Sequence, residues 1–446
     1  MKSISLTRIS VILVIIVMSS CATDDGYVRT ENQSNLEQRI IELYGSKDAL
    51  ILPLSNDYSN IPSDINNPIT AAKVELGKML FHETGIALNA IMDEGMTTYS
   101  CASCHHADAG FQSGLQQGIA EGGSGFGLKG EGRTKSSLYL EVDLDIQPIR
   151  NPSVLNVAYQ DVMFWNGQFG GTGTNFGTES SWTEGTPKEI NNLGFEGVET
   201  QAIAGADAHR FKIEAEFIEN SSYKELFDNA FPDIIPEERY TKLNGALAIA
   251  AYERTLLPNQ APFQLWLKGD ESAMSSNEVE GALLFFNQAK CFNCHTGPGL
   301  NGMSFHALGM NDLEGDNIMT IVDEATKKGR GGFTNNPEDD FKFKTPQLYN
   351  LKDVTFYGHG GTFQSVEDVV RYKSAAIGQN QDVPANELSE MFVPLNLSET
   401  QINQITAFLE LALYDNNLQR YSPDTLPTGS CFPNADAQSS IDLGCN

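Results

Sequence analysis

Cys101-Ala-Ser-Cys104-His105 and Cys291-Phe-Asn-Cys294-His295 are the two stretches on which the reading of this chain turns. In each, two thiols lie three residues apart and an imidazole follows at once. Haem c attachment needs this spacing: the thiols add to the two vinyl groups, and the next residue turns its imidazole onto the iron. Zinc would normally join two such thiol pairs into one tetrahedral site, with no need for a histidine after each. A thioredoxin-like redox pair needs one motif in a βαβ setting, and structural disulfides need neither histidine. C-x-x-C-H is expected by chance on the order of 0.002 times in a chain of this composition. Finding it twice implies two covalently bound haem c groups, with His105 and His295 as axial ligands.

The motifs stand 190 residues apart, so each can own a domain. Helical apolar spacing marks Leu243 to Leu257 and Ser276 to Ala289, the latter running into Cys291. It also marks Glu399 to Leu413 and the shorter Val366 to Lys373. Glycine-rich stretches at 118–132, 167–177 and 329–332 break the pattern. Little of the chain alternates as strands do. The expected fold is mainly α: two cytochrome c-like domains with long loops, each around one covalent haem. The boundary falls at Pro258 to Phe263, giving an N-terminal haem domain at 46–258 and a C-terminal one at 259–425. Residues 426–446 form a tail in which Cys431 and Cys445 are expected to pair, since an exported chain bridges spare cysteines.

Export is read from the first residues. Lys2 and Arg8 precede Val11 to Met18, an apolar run too short to span a bilayer. It ends in Ser19-Ser20-Cys21. This resembles a bacterial lipoprotein signal: residues 1–20 are removed, Cys21 carries lipid, and 21–45 serve as a polar tether. The alternative is an ordinary signal peptide with Cys21 removed or idle. The lipoprotein reading puts the protein on a membrane facing the periplasm or the cell surface. The formal net charge of −29 excludes nucleic acid as a partner, because phosphate binding needs a basic face. It suits either a basic protein partner or plain solubility.

Beyond the haem motifs, several short stretches resemble the bacterial di-haem cytochrome c peroxidases and their methylamine-utilisation relatives. They are Leu76-Gly-Lys-Met-Leu-Phe81, Arg150-Asn-Pro-Ser-Val-Leu-Asn156, Phe164-Trp165-Asn-Gly167, Ala246 to Leu257, Phe343-Lys-Thr-Pro-Gln-Leu348 and Gly358-His359-Gly360-Gly361. They occur in the family's order from about residue 70 to 375. The resemblance implies a peroxidatic iron at His105 and an electron-transferring iron at His295. It implies reduction of hydrogen peroxide with electrons from a cytochrome c or cupredoxin. Alternatives are a di-haem oxidase that modifies a partner protein and a non-enzymatic electron carrier.

The resemblance also assigns residues. Family peroxidases often close the first iron with a histidine from the following loop. Here Ala107 to Arg150 contains none, and Glu121 stands about where it would be, so the iron is expected to be open without prior reduction. Trp165 matches the residue between the haems, against a plain reading as a packed aromatic; the family's flanking Asp and Arg are Asn166 and Gln168. Gln201 matches a distal glutamine. The family's distal glutamate has no counterpart, and His209, beside Arg210, is the expected proton carrier, with Glu214 and Glu121 behind it. For the sixth ligand of the second iron, Tyr372 comes first and Lys373 next, with Met391 and Met310 as outsiders. Asn151 and the backbone of Thr355 match a calcium site between the domains.

Overall fold

The computed structural model describes residues 30–316 and 318–445. Helices and loops make up nearly all of it. α1 is Glu31–Tyr44, α2 Ala71–His82, α3 Gly197–Ala208, α4 Tyr223–Ala230, α5 Lys242–Glu253, α6 Pro262–Leu267, α7 Ser276–Phe285, α8 Val366–Ala375, α9 Glu399–Ala407 and α10 Ala437–Asp442. Two-residue strands pair antiparallel, Gly123–Ser124 with Thr134–Lys135 and Phe305–His306 with Phe343–Lys344. No helix among the described residues is long and apolar enough to cross a membrane.

Two apolar cores organise the chain. In the first, α2 crosses α5, and the crossing depends on Gly77: a Cβ there would stand 1.9 Å from the Ala248 carbonyl oxygen. Leu76, Leu80 and Phe81 of α2 fill this core with Val198 and Ile203 of α3, Phe227 of α4 and Ile249 of α5. The second core repeats the device. A Cβ at Gly281 of α7 would stand 1.9 Å from the Gln404 carbonyl of α9. Phe285, Phe286, Ile402, Ile405 and Phe408 pack around that contact. Gly77 with Phe81 and Gly281 with Phe285 share one spacing, so each core begins with the same glycine–aromatic step. The switch between cores falls between Leu256 and Leu257.

The chain ends cross over. The expected tether at 21–45 is a helix over its described part, and this corrects the sequence reading. Thr30 and Gln33 cap each other reciprocally, Leu36 and Ile40 are buried one turn apart, and Gly45 closes the helix at φ 85°. A polar average concealed two core residues at i, i+4 spacing. α1 and the arm after it, with Leu50, Leu52 and Ile61, pack into the second core although they precede the first motif. The tail does the reverse. Leu418 and Tyr421 join the first core, and the loop closed by the Cys431–Cys445 disulfide lies over the first motif. There Ser100 and Ser103 both donate to the Pro433 carbonyl, at 2.9 and 3.1 Å. Arg133, buried, pairs with Asp436 of the tail at 3.1 Å. Cys21 lies outside the described residues.

Candidate haem sites

Each C-x-x-C-H forms a short 3-10 turn, Cys101–Ser103 and Cys291–Asn293. All four cysteines are free thiols. The His105 Nδ1 lies 3.3 Å from the Phe111 carbonyl oxygen. The His295 Nδ1 lies 3.2 Å from the Leu300 carbonyl and 3.0 Å from that of Pro346. A carbonyl can only accept, so each Nδ1 carries the proton and each Nε2 keeps a lone pair for a metal. Burial pushes both imidazoles down to about 4, holding them neutral as ligation requires. Free thiols, neutral imidazoles and fixed tautomers fit haem c at both motifs. At the second, a cavity of about 470 Å³ opens beside Cys291, Cys294 and His295.

The first site faces the C-terminal end of α3. Gln201 and His209 share one face there, two turns apart. Between them lies Gly205, whose missing Cβ would meet Gln201 Nε2 at 3.2 Å and His209 Cδ2 at 3.8 Å. The structure thus brings these two expected residues together. His209 Nδ1 is 2.8 Å from Asp145 Oδ2, and Asp145 is buried. Burial lowers the imidazole's proton affinity, but the Asp145 charge and hydrogen bond outweigh it, so the pKa stands above the usual histidine value. His105 and His209 are close enough to interact electrostatically. The Tyr99 hydroxyl, also buried, has no hydrogen-bond partner in this region.

Glu121, which stands about where family members place the loop histidine, is engaged within the protein. Its carboxylate is fully buried and bonded on all sides. It accepts from Ile91 N at 2.6 Å, from the Tyr139 hydroxyl at 2.9 Å and from the Arg210 guanidinium. Arg210 is therefore committed to Glu121 and is not a free charge beside His209. Glu214 is exposed and pairs with Lys212 at 3.2 Å, outside the site.

Between the motifs, Trp165 donates from Nε1 to the Arg150 carbonyl at 2.8 Å. Its ring is 6.3 Å from that of His359, which stacks on Phe343 at 3.6 Å. All three line the second cavity. Asn166 and Gln168 hydrogen-bond to each other at 3.1 Å. The cation sequence reasoning missed here is Arg330, from 163 residues away. It donates to the Gly167 carbonyl at 3.1 Å and Asn175 Oδ1 at 2.8 Å, and it lies over the Phe305 ring at 4.6 Å. Lys344 is buried beneath the same loop and donates to the Val162 carbonyl at 2.7 Å; burial pushes it down to about 7.

Tyr372 is turned away from the second cavity, a correction to the first choice of ligand. Its ring packs between Phe363 and Phe392, at 4.9 and 5.2 Å, and its hydroxyl donates to the Leu308 carbonyl. Lys373, Met310 and Met391 line the cavity instead. Burial pushes Lys373 down to about 8. Asn151 is buried and its Oδ1 accepts from Gly118 N at 3.2 Å, while Thr355 is exposed. The oxygens offered to a calcium ion there are neutral amides. No cluster of three or more His, Cys, Asp or Glu side chains placed for a metal exists among the described residues.

Comparison with known proteins gives the same picture. The family profile described as di-haem cytochrome c peroxidase matches residues 71–272. A cytochrome-c peroxidase of Denitromonas iodatirespirans is 28% identical over 372 residues, covering 78% of this chain and 84% of that protein. The methylamine utilization protein MauG of Methylorubrum extorquens is 28% identical over 357 residues, covering 79% and 81%. Among solved structures, a MauG-like protein associated with microbial copper homeostasis superposes with TM-score 0.57 at 22% identity, covering 82% of this chain and 95% of its own. The diheme peroxidase BthA from Burkholderia thailandensis superposes at 0.51, with 16% identity and coverage of 80% and 89%. Residues 71–272 thus match the di-haem cytochrome c peroxidase family, and the chain is similar to proteins of that family over about four-fifths of its length.

Proposed function

We propose that this protein carries two covalently attached haem c groups, at Cys101–Cys104 and Cys291–Cys294, and reduces hydrogen peroxide to water. The balanced reaction takes one peroxide, two electrons and two protons to two waters. Bound haem supplies the iron that binds peroxide and the redox change that cleaves it. The chain supplies electrons' passage and the protons. A redox protein delivers the electrons at the second haem, and the −29 charge favours a basic donor. Trp165, packed in the loop between the two sites, lies on the route we assign to them.

The observation that carries this reading is the His209–Asp145 pair, 2.8 Å apart beside the first motif. Asp145 accepts a hydrogen bond from Nδ1–H, so neutral His209 presents a basic Nε2. That atom takes the proton from the near oxygen of peroxide and returns it to the far oxygen. Asp145 stabilises the imidazolium in between. Gln201, two turns away on the same face of α3, orients the peroxide but cannot move its proton. Partner-protein oxidation drew its support from a tyrosine ligand, and the Tyr372 hydroxyl is engaged by Leu308.

The test is the rate of peroxide consumption with an artificial electron donor. His209→Ala is expected to keep full haem content and to turn over about 100-fold more slowly or worse. Gln201→Ala is expected to lose less. A His209→Ala protein near the normal rate refutes the assignment. Lipid attachment at Cys21 belongs to the same proposal, and Cys21→Ser is expected to release the protein from membranes; continued retention overturns it.

A further inference from the structure

The register of α8 decides what the second cavity offers a metal. Successive residues on a helix point about 100° apart. With Tyr372 fixed among Phe363, Phe392 and the Leu308 carbonyl, its neighbour Lys373 is rotated into the cavity that holds Cys291, Cys294 and His295. Its Nζ lies 5.7 Å from the centre of the Phe392 ring. Among the described residues it makes no hydrogen bond and no ion pair. The half-buried Nζ is thus left without a carboxylate partner at the cavity wall, and a lysine nitrogen is a compact donor to a metal. The other donors are placed less well. Met391 Sδ is 3.7 Å from Cys294 Sγ, at the thiol edge of the cavity. Met310 packs against the 358–361 loop, its sulfur 3.1 Å from where a Cβ on Gly358 would stand.

We propose that Lys373, through its ε-nitrogen, is the second axial ligand of the iron whose first ligand is His295. The inference rests on the di-haem reading above. It makes the second centre an imidazole–amine site. Two nitrogen donors favour ferric iron more than a nitrogen–thioether set does, so the potential is lower than with methionine in the same place.

The test uses ferric full-length protein, by visible and electron-paramagnetic spectroscopy with cyanide titration and intact mass. The wild type is expected to show a low-spin second haem without the far-red sulfur-to-iron band, and to bind one cyanide per chain. Lys373→Ala is expected to open a second site and raise that to two. Lys373→Met is expected to restore a low-spin centre, now with the sulfur band and a higher potential. Met310→Leu is expected to change neither spectrum nor stoichiometry. An unaltered low-spin signal in both Lys373 variants overturns the proposal, as does its loss in Met310→Leu. Intact mass separates this failure from that of the reading beneath it, since a chain lacking haem at Cys291–Cys294 overturns both.

Discussion

Asp145→Asn tests the proton pathway more finely than removal of His209 does. The substitution keeps the shape and an oxygen that can accept the Nδ1 proton, and it removes only the charge. Two groups otherwise set His209: burial, which pulls its pKa down, and Arg210, which acts in the same direction. Asp145 alone outweighs them. A charge-assisted hydrogen bond contributes about 1.5–3 kcal/mol. The His209 side chain is 28% exposed, so solvent screens part of this and the lower end applies. At about 1.4 kcal/mol per tenfold, the imidazolium loses stabilisation equivalent to about 10- to 30-fold in kcat/KM. The sign of the pH effect follows from the base being the neutral imidazole. In the wild type, kcat/KM rises as pH passes through the raised pKa of His209. Without the Asp145 charge that pKa falls, and the acid limb of the profile moves to lower pH. The assay is stopped-flow peroxide consumption from pH 5 to 9, roughly spanning the histidine range, with haem content measured on the same sample. An unmoved acid limb with a normal rate refutes the pairing as a source of catalysis. A uniform loss of rate with no shift assigns Asp145 a structural role only.

Cyanide added to fully oxidised protein is expected to shift the Soret band promptly, because 107–150 lacks histidine and the Glu121 oxygens are occupied; binding only after partial reduction refutes this. Arg254, fully buried, is paired with Glu199 at 2.6 Å, and Arg254→Met is expected to cost about 3–5 kcal/mol in denaturant unfolding by stranding that carboxylate. Gly281→Ala drives a Cβ to 1.9 Å from the Gln404 carbonyl and is expected to destabilise by about 1–3 kcal/mol; an unchanged unfolding midpoint means that the crossing can open. Cys431→Ser with Cys445→Ser is expected to lower stability by about 3 kcal/mol, read from thermal unfolding with both haems retained.

The parts of this molecule that local sequence encodes were readable in advance, and the rest depended on distance. Both attachment turns are complete within five residues. Their imidazoles depend on Phe111, Leu300 and Pro346 only for orientation, so the motifs stood out alone. His209 could be singled out as a residue able to carry a proton. Its partner could not, because Asp145 lies 64 residues upstream in a loop without periodicity. Arg330 escaped notice for the same reason: its acceptors are backbone carbonyls and Asn175, which carry no charge pattern. Tyr372 and Lys373 differ by one step on a helix. The aromatic environment that selects which of them faces inward comes from Phe363 and Phe392, on either side of α8 in sequence. α3 lacked a clear stripe because it buries small residues on more than one side. The paired glycine–aromatic steps at Gly77 and Gly281 were visible in the sequence, but their meaning required the crossing helices.

The crossed chain ends bear on the order in which the protein is assembled. During synthesis Cys101–His105 leaves the ribosome well before residues 431–445. During that interval Ser100 and Ser103 are uncovered, and the thiols of Cys101 and Cys104 lack that cover. Once the tail arrives, Pro433 and Asn434 cover the turn and the disulfide closes over it. Residues 431–445 thus act as a seal over the first C-x-x-C-H turn.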